Sequence, residues 1–323
     1  MKRTIAIVAG GDSSELPVSL RSAQGIYSFI DKEKYDLYIV EIEGLRWEAQ
    51  LPEGNLPIDR NDFSFCKNGQ KINFDFAYIT IHGTPGENGK LQGYFDLIGL
   101  PYSSCDVFAS AITFNKFACN QYLKGYGIKV AEALMLRKGQ TVSDEDVVEK
   151  IGLPCFVKPN LGGSSFGITK VKEKQQIRFA IQKAFQESDE IIIEAFMQGT
   201  EITCGCYKVK GKEVVFPITE VVTQNEFFDY DAKYNGQVEE ITPARISDRL
   251  TARVQTLTSA LYDIIGCSGI IRIDYIIIEG DKINLLEINT TPGMTATSFI
   301  PQQVKAAGLD IKNVMTDIIE NKF

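Results

Sequence analysis

Apolar and polar positions alternate with two different periods along this chain, and the changes of period outline its elements. The mostly apolar run Thr4–Ala9 ends in Gly10-Gly11-Asp12, which predicts a buried strand and its turn. Ser19–Ile30 carries apolar residues at 3–4 spacing and predicts a helix. Tyr35–Glu41 and Phe76–His82 predict two more strands, Leu91–Ile98 a short helix and Leu100–Tyr102 a short strand. Trp47–Lys71 between them reads as irregular, with a short hairpin near Asn68-Gly69. This alternation predicts an open, mostly parallel α/β sheet. Ligands of such sheets sit at the C-terminal strand ends, where Gly10-Gly11 and His82-Gly83 fall.

The texture changes near Ala111. A helix over Phe114–Tyr126 precedes strands at Cys155–Lys158, Ile168–Val171, Ile191–Ala195 and Ile202–Lys208, expected antiparallel, with a helix between Glu173 and Glu187. A third block has strands in Val214–Val222, a polar and aromatic loop at Thr223–Gly236, a helix at Ser247–Ile265 and a closing hairpin. A chain of 323 residues exceeds what one core sustains. We therefore expect an α/β domain over 1–111 and two lobes with antiparallel sheets over 112–199 and 200–323.

The closing hairpin carries the first chemistry. RIDYIIIEGDKINLLEINTTPGM, Arg272–Met294, is mostly Ile and Leu, yet Arg272, Asp274, Glu287 and Asn289 interrupt it. With Glu279–Lys282 as the loop, Ile278 pairs with Ile283, Asp274 with Glu287 and Arg272 with Asn289. All four polar side chains then share one face. Opposed carboxylates repel, and a hard cation between them removes the conflict; Asp, Glu and Asn offer only oxygen donors, which suits Mg²⁺ with phosphate and water. A solvated face on which Arg272 screens the acids is the plain alternative. In FVKPNLGGSSFGITKV, Gly162–Ser165 can turn several N–H groups toward one anion beside Lys158. A simple hairpin turn is the alternative there, and no Walker A pattern is present. Lys116 is a second candidate cation. Glu194 ends a strand before Ala195-Phe196-Met197, and Glu201 follows; an acid beside an apolar slot could accept from an adenine amino group.

Composition narrows the partners. The hydrophobic fraction of 44% with 24% charged residues is that of a soluble globular protein. A net charge of −8 argues against nucleic acid as a partner. Seven cysteines with one close pair, Cys204 and Cys206, and a single histidine complete no zinc site and read as reduced cytoplasmic thiols. MKRTIAIVAGG fits a first strand better than a signal peptide. No run reaches the roughly 18 apolar residues a membrane helix needs.

Taken together, GGDSSELPVSL, HGTPGENGKLQGYFDLIGLPY, FNKFA, FVKPNLGGSSFGITKV, EAFMQGTE, FFDYDAKYNG, RID and LLEINTTPGMTATS resemble, in order and over nearly the whole chain, the D-alanine–D-alanine ligases of the ATP-grasp superfamily. That resemblance implies an N-terminal α/β (pre-ATP-grasp) substrate domain followed by two ATP-grasp lobes that clamp ATP. It implies a cytoplasmic enzyme, dimeric through the N-terminal domain, that joins two D-alanines through an acyl phosphate for peptidoglycan synthesis. Glu15 would hold the first D-alanine's ammonium, with Ser164 and Tyr234 bonded to it. Lys116, Lys158 and Lys233 would contact ATP phosphates. Glu194 and the Ala195–Met197 backbone would receive adenine, and Glu201 ribose. Asp274, Glu287 and Asn289 would hold two Mg²⁺ ions, with Mn²⁺ a possible substitute. Arg272 and the Gly293 N–H would form the oxyanion hole, Ser298 would bind the second D-alanine's carboxylate, and His82 would sit beside the phosphoryl transfer. The loop Thr223–Gly236 would be the lid. Two positions depart from the pattern, Leu16-Pro17 after Glu15 and Phe228 where relatives often have Tyr. A D-lactate- or D-serine-adding sister ligase and a non-catalytic ATP binder remain the alternatives; Tyr234 favours a D-alanine amine over D-lactate.

Overall fold

Thr4–Ala9 has no polar face, so it must be covered on both sides. In the computed structural model, which describes residues 2–162, 167–223 and 238–323, Ile5–Ala9 are fully buried within β1 (Arg3–Gly10). From β1 the chain runs through α1 (Leu16–Phe29) into β2 (Tyr35–Glu43), which lies parallel to it. β3 (Arg46–Gln50), β4 (Leu56–Asp59), β5 (Ser64–Lys67) and β6 (Gln70–Ile72) follow as an antiparallel meander, and β7 (Phe76–Ile79) returns parallel to β1 on its other side. The sheet order is β6-β5-β4-β3-β2-β1-β7.

The expected mostly parallel sheet is therefore mixed; its parallel strands are β2, β1 and β7, and the short strand expected at Leu100–Tyr102 is a single parallel bridge from Tyr102 to Ala77. The meander is the stretch read as irregular. Its strands are 3 to 5 residues long, too short to show a period. They are held by rings, with Phe63 packing on Trp47 at 6.0 Å and Phe95 at 4.9 Å between centroids. The hairpin at Asn68-Gly69 is present between β5 and β6.

After α2 (Lys90–Ile98) comes a helix without a sequence expectation, α3 (Val107–Phe114), and then α4 (Lys116–Lys124), which is the helix expected at Phe114–Tyr126. Asn115 separates them: its backbone is extended and its side chain accepts the Ala118 N–H, so it caps the second helix. A four-stranded antiparallel sheet follows, β10-β9-β11-β8, from β8 (Ala133–Arg137), β9 (Cys155–Pro159), β10 (Thr169–Val171) and β11 (Glu190–Ala195). Alternation sorts its faces. Cys155, Val157, Ile191 and Ile193 join the core with Val147 of α5 (Asp144–Lys150) and Ala180 of α6 (Ile177–Glu187). Phe156, Lys158 and Glu194 take the opposite face.

The third sheet has β12 (Thr200–Val209) at its centre, so Ile202–Lys208, read together with the strands before it, is antiparallel as expected but belongs to the third sheet. β13 (Lys212–Val215), β14 (Thr219–Thr223) and β15 (Val238–Ile241) flank it on one side. The loop expected as a lid lies outside the described residues. α7 (Asp248–Ile265) covers the apolar face, and the hairpin of β16 (Ile270–Ile278) and β17 (Lys282–Asn289) completes the sheet. Two helices without a sequence expectation, α8 (Phe299–Ala306) and α9 (Ile311–Glu320), close the chain.

The hairpin register corrects the expected turn. Ile278 pairs with Lys282 and Ile277 with Ile283, leaving three loop residues. A β-bulge then lies between Asp274 and Tyr275, and Leu286 is the extra residue. Beyond it Asp274 pairs with Glu287 and Arg272 with Asn289, as expected. The bulge lets one strand serve two surfaces. Ile283 and Leu285 before it and Ile288 after it all enter the α7 core, although 285 and 288 differ in parity. An unbroken ladder would have sent Glu287 into that core.

Gly25 brings α1 against the loop after β17. A Cβ there would lie 2.2 Å from the Met294 carbonyl oxygen. Alanine is worth up to about 1 kcal/mol over glycine inside a helix, but this clash forces the helix off the loop and the overpacking term, about 1–3 kcal/mol, outweighs it. We expect Gly25→Ala to lower the urea midpoint; a raised midpoint would show that the contact is loose.

Candidate functional site

A cleft of about 1450 Å³ runs between the three sheets. Pockets for single small ligands span roughly 300–1,000 Å³, so this one has room for more than one. Every candidate residue within the described regions lines it. Ser164, Lys233 and Tyr234 lie outside the described residues.

The N-terminal sheet contributes two strand ends. Glu15 caps α1, and its N–H bonds to Ser13 Oγ, which in turn donates to the His82 carbonyl at 2.9 Å. These bonds tie the turn after β1 to the turn after β7. His82 is buried, and burial pushes its imidazole below the ordinary value, so it is neutral at neutral pH. Its Nε2 has no hydrogen-bond partner among the described residues.

The central sheet presents Lys158 and Glu194 to the cleft as a buried ion pair. The expectation treated them as separate contacts; here each compensates the other. Lys116 is not a solvated lysine. It donates to the Gly162 carbonyl at 2.6 Å and lies 3.7 Å from Glu287. Buried Asn160 fixes this corner, because its carbonyl accepts Lys116 N–H at 3.3 Å and its side chain accepts Phe117 N–H at 2.9 Å. Phe156 and Phe196 pack at 5.8 Å, with the Lys170 ammonium 3.9 Å from the Phe196 ring centre. The backbone expectation at Ala195–Met197 narrows. Ala195 N–H is spent on Glu132 O and Phe196 N–H on Pro154 O, which leaves Met197 N–H as the one without an acceptor among the described residues.

The third sheet supplies the charge cluster. Arg272 Nε and Nη2 each donate to Asp274 at 2.8 Å, Thr203 Oγ1 donates at 2.6 Å and Asn289 Nδ2 at 3.0 Å. The opposed carboxylates are thus not left bare: Arg272 meets Asp274, as the plain alternative had it, and Lys116 meets Glu287. Among the described residues Arg272 Nη1 has no acceptor, and neither has the Gly293 N–H. Gly293 lies in the loop docked on α1, where Met294 N–H donates to Ser22 Oγ at 3.3 Å. Ser298 Oγ accepts Thr295 N–H at 3.1 Å. Glu201 lines the cleft on the same face as Asp274. Among the described residues no group of three or more His, Cys, Asp or Glu side chains forms a metal cluster; the expected set has two acids and an amide. No helix among them is long and apolar enough to cross a membrane.

Glu87 had no sequence expectation. It lies within HGTPGENG and accepts the Gly83 N–H at 2.6 Å. Burial, and then the charge of Glu15, push its carboxyl up to about 7. The available signal was an acid set between glycines of a strand-end turn.

Two facing antiparallel sheets with lysines on one and a carboxylate cluster on the other, joined to an α/β domain, define an ATP-grasp protein. The comparisons are specific. The family described as D-ala D-ala ligase N-terminus matches residues 4–105, and D-ala D-ala ligase C-terminus matches 122–320. The D-alanine--D-alanine ligase of Bacteroides fragilis (strain YCH46) is 77% identical over 324 residues, covering 100% of both chains. That of Parabacteroides distasonis is 67% identical, covering 100% of this chain and 98% of the relative. Among solved structures, VanG D-Ala:D-Ser ligase from Enterococcus faecalis superposes with a TM-score of 0.88 at 29% identity, covering 100% of both. D-alanyl-alanine synthetase A from Vibrio cholerae gives 0.88 at 28%, covering 99% and 98%. D-alanine--D-alanine ligase from Bacillus anthracis complexed with ATP gives 0.79 at 27%, covering 99% and 97%. The chain belongs to the D-alanine–D-alanine ligase family.

The Glu87 carboxyl makes a pH prediction. Its pKa in the folded state is raised from 4.5 to about 7. Between those values the folded state holds a proton that the unfolded state has lost, so this group's contribution falls as pH rises through the window. Glu87→Gln removes the titration and can still accept Gly83 N–H. Urea unfolding at pH 5 and pH 7.5 should show wild type losing stability relative to the variant; parallel pH profiles would refute the raised value.

Proposed function

We propose that this protein joins two D-alanines into D-alanyl-D-alanine at the expense of ATP, through an acyl phosphate, for peptidoglycan precursor synthesis. One observation carries the reading: every described candidate residue, from all three sheets, lines one cleft. The high-identity relatives named D-alanine--D-alanine ligase support it.

The residues divide the work. Glu15 sits where a carboxylate can hold the first D-alanine's ammonium. Lys116 and Lys158 supply positive charge for ATP phosphates, with Lys233 completing the set by resemblance. The Phe156–Phe196 pair, Met197 and Glu194 form the slot for adenine, and Glu201 takes ribose. The γ-phosphoryl passes to the first carboxylate, and the second amine then attacks the acyl carbon as phosphate leaves. Arg272 Nη1 and Gly293 N–H, both without acceptors among the described residues, stabilise the oxyanion that develops. Ser298 holds the second carboxylate. Neutral His82, with its open Nε2, donates or accepts beside the transferring group. Ser164 and Tyr234 join Glu15 by resemblance.

Asp274, Glu287 and Asn289 fit a hard cation. They are oxygen donors on one face, and turning over the Asn289 amide presents its carbonyl and frees a lone pair on Asp274. These three residues would hold Mg²⁺ there, which would supply positive charge to phosphate. We read the lobes as 1–111, 112–199 and 200–323, a reading supported by one sheet falling within each range. We read the enzyme as cytoplasmic and dimeric, without nucleic-acid or membrane partners. Its free cysteines and net charge of −8 support the first and last points, and exposed Leu97 and Phe108 support an interface.

Phosphate release should require Mg²⁺, ATP and D-alanine together and should yield the dipeptide. Release indifferent to D-alanine, or a dominant product with D-lactate or D-serine when all are offered at neutral pH, would overturn the assignment. Glu287→Gln should lower Mg²⁺-dependent turnover by about 100-fold or more, the scale of losing one group that stabilises transition-state charge. Its thermal unfolding should stay near wild type; unchanged turnover removes Glu287 from the metal set.

A further inference from the structure

A D-amino acid enters as a zwitterion, so the second substrate brings an ammonium as well as the carboxylate that Ser298 would hold. It must do so in a cleft that already contains Arg272 and two lysines. An ammonium among those cations needs a carboxylate. Glu15 and Glu87 lie at the N-terminal strand ends, and Asp274 and Glu287 are engaged with Arg272 and Lys116. Glu220 is held side-on by Arg245, with Nε and Nη2 each at 2.9 Å. One acid remains beside Ser298.

We propose that Glu240 is a specificity-determining residue that receives the ammonium of the second D-alanine, an inference that rests on the ligase reading above. Its placement follows from the sheet. Glu240 on β15 pairs with Val221 on β14, Val221 with Glu201 on β12, and Glu201 with Ile276 on β16. Paired residues share a face, so Glu240 stands on the surface that bears Arg272 and Asp274. It lines the cleft with Thr297, Ser298 and Phe299. Gln302, one turn beyond Ser298 on α8, donates to Glu240 Oε2 at 2.5 Å and to the Thr297 carbonyl at 2.7 Å. The same side chain therefore fixes both the acid and the loop that carries Ser298. No other described residue bonds to the Glu240 carboxyl. Burial raises its proton affinity, while the Gln302 bond and the Arg272 charge oppose that rise, so the carboxylate gains from a cationic partner.

The test is steady-state ADP release by the full-length enzyme with ATP and Mg²⁺ saturating, with D-alanine varied to resolve its two KM values. Glu240→Gln keeps the shape and removes the charge. The second-site KM should rise about 10-fold, the loss of one charge-assisted hydrogen bond. The first-site KM and the KM for ATP should stay within about twofold. Occupancy of the second site by D-lactate, which has no ammonium, should change less than about twofold, and Glu240→Asp should recover much of the D-alanine affinity. A second-site KM unchanged in Glu240→Gln, or D-alanine and D-lactate weakened equally, would overturn the proposal. Thermal unfolding of each variant separates this from misfolding. Wild-type enzyme without D-alanine-dependent ADP release would instead sink the ligase reading, and this inference with it.

Discussion

A carboxylate out of water is tolerable only when its charge is met at close range, and Asp274 imposes that condition on the whole third sheet. Its two oxygens accept from Arg272 on its own strand, Thr203 on β12 and Asn289 on β17. Three adjacent strands are thereby locked in register at the point where register matters. Breaking a buried pair by removing one partner costs about 3–5 kcal/mol. The arginine that satisfies Asp274 also keeps one nitrogen for the cleft, so structural and chemical roles share a single guanidinium.

The surrounding cleft is a balance of charges drawn from separate parts of the chain. Lys158 and Glu194 cancel inside the central sheet, and Lys116 reaches across to Glu287. On the N-terminal side the groups are kept near neutrality by burial, with His82 pushed down and Glu87 pushed up. Lys116, Lys158 and Arg272 thus each stand beside an acid in the cleft. Docking of α1 on the Met294 loop holds Glu15 and Gly293 within one body.

Much of this was legible in the chain. The apolar run of β1, the interrupted strands of the hairpin and the glycine-rich turns each marked an element and its chemistry. The hairpin pairing at Asp274 and Arg272 came out right although the turn was assigned one residue too many, because the bulge restores the difference. That bulge also left a trace: in INLLEIN, Ile283–Asn289, the inward positions change parity at Leu285-Leu286. The meander of β3–β6 left none, since its strands are too short for a period and its stability lies in aromatic contacts distant in sequence. Helix α3 before Asn115 was missed because VFASAITF, Val107–Phe114, is apolar almost throughout and shows no helical face. Asn160, Glu87 and Glu240 were missed for a common reason: each takes its meaning from a partner on another element, and no local pattern names that partner.

The last helix completes the first strand. Val314, Met315, Ile318 and Ile319 of α9 share one core with Ile5, Ile7 and Tyr35, and Glu320 binds both Arg3 and the Tyr35 hydroxyl. The central sheet, by contrast, buries its core entirely with residues between Leu134 and Ile193. Order of synthesis and order of completion therefore differ. The N-terminal sheet leaves the ribosome first, yet the core that α1 begins on one of its faces is completed only when α9 emerges. The central lobe can close while translation continues; the lobe made earliest is the one that must wait.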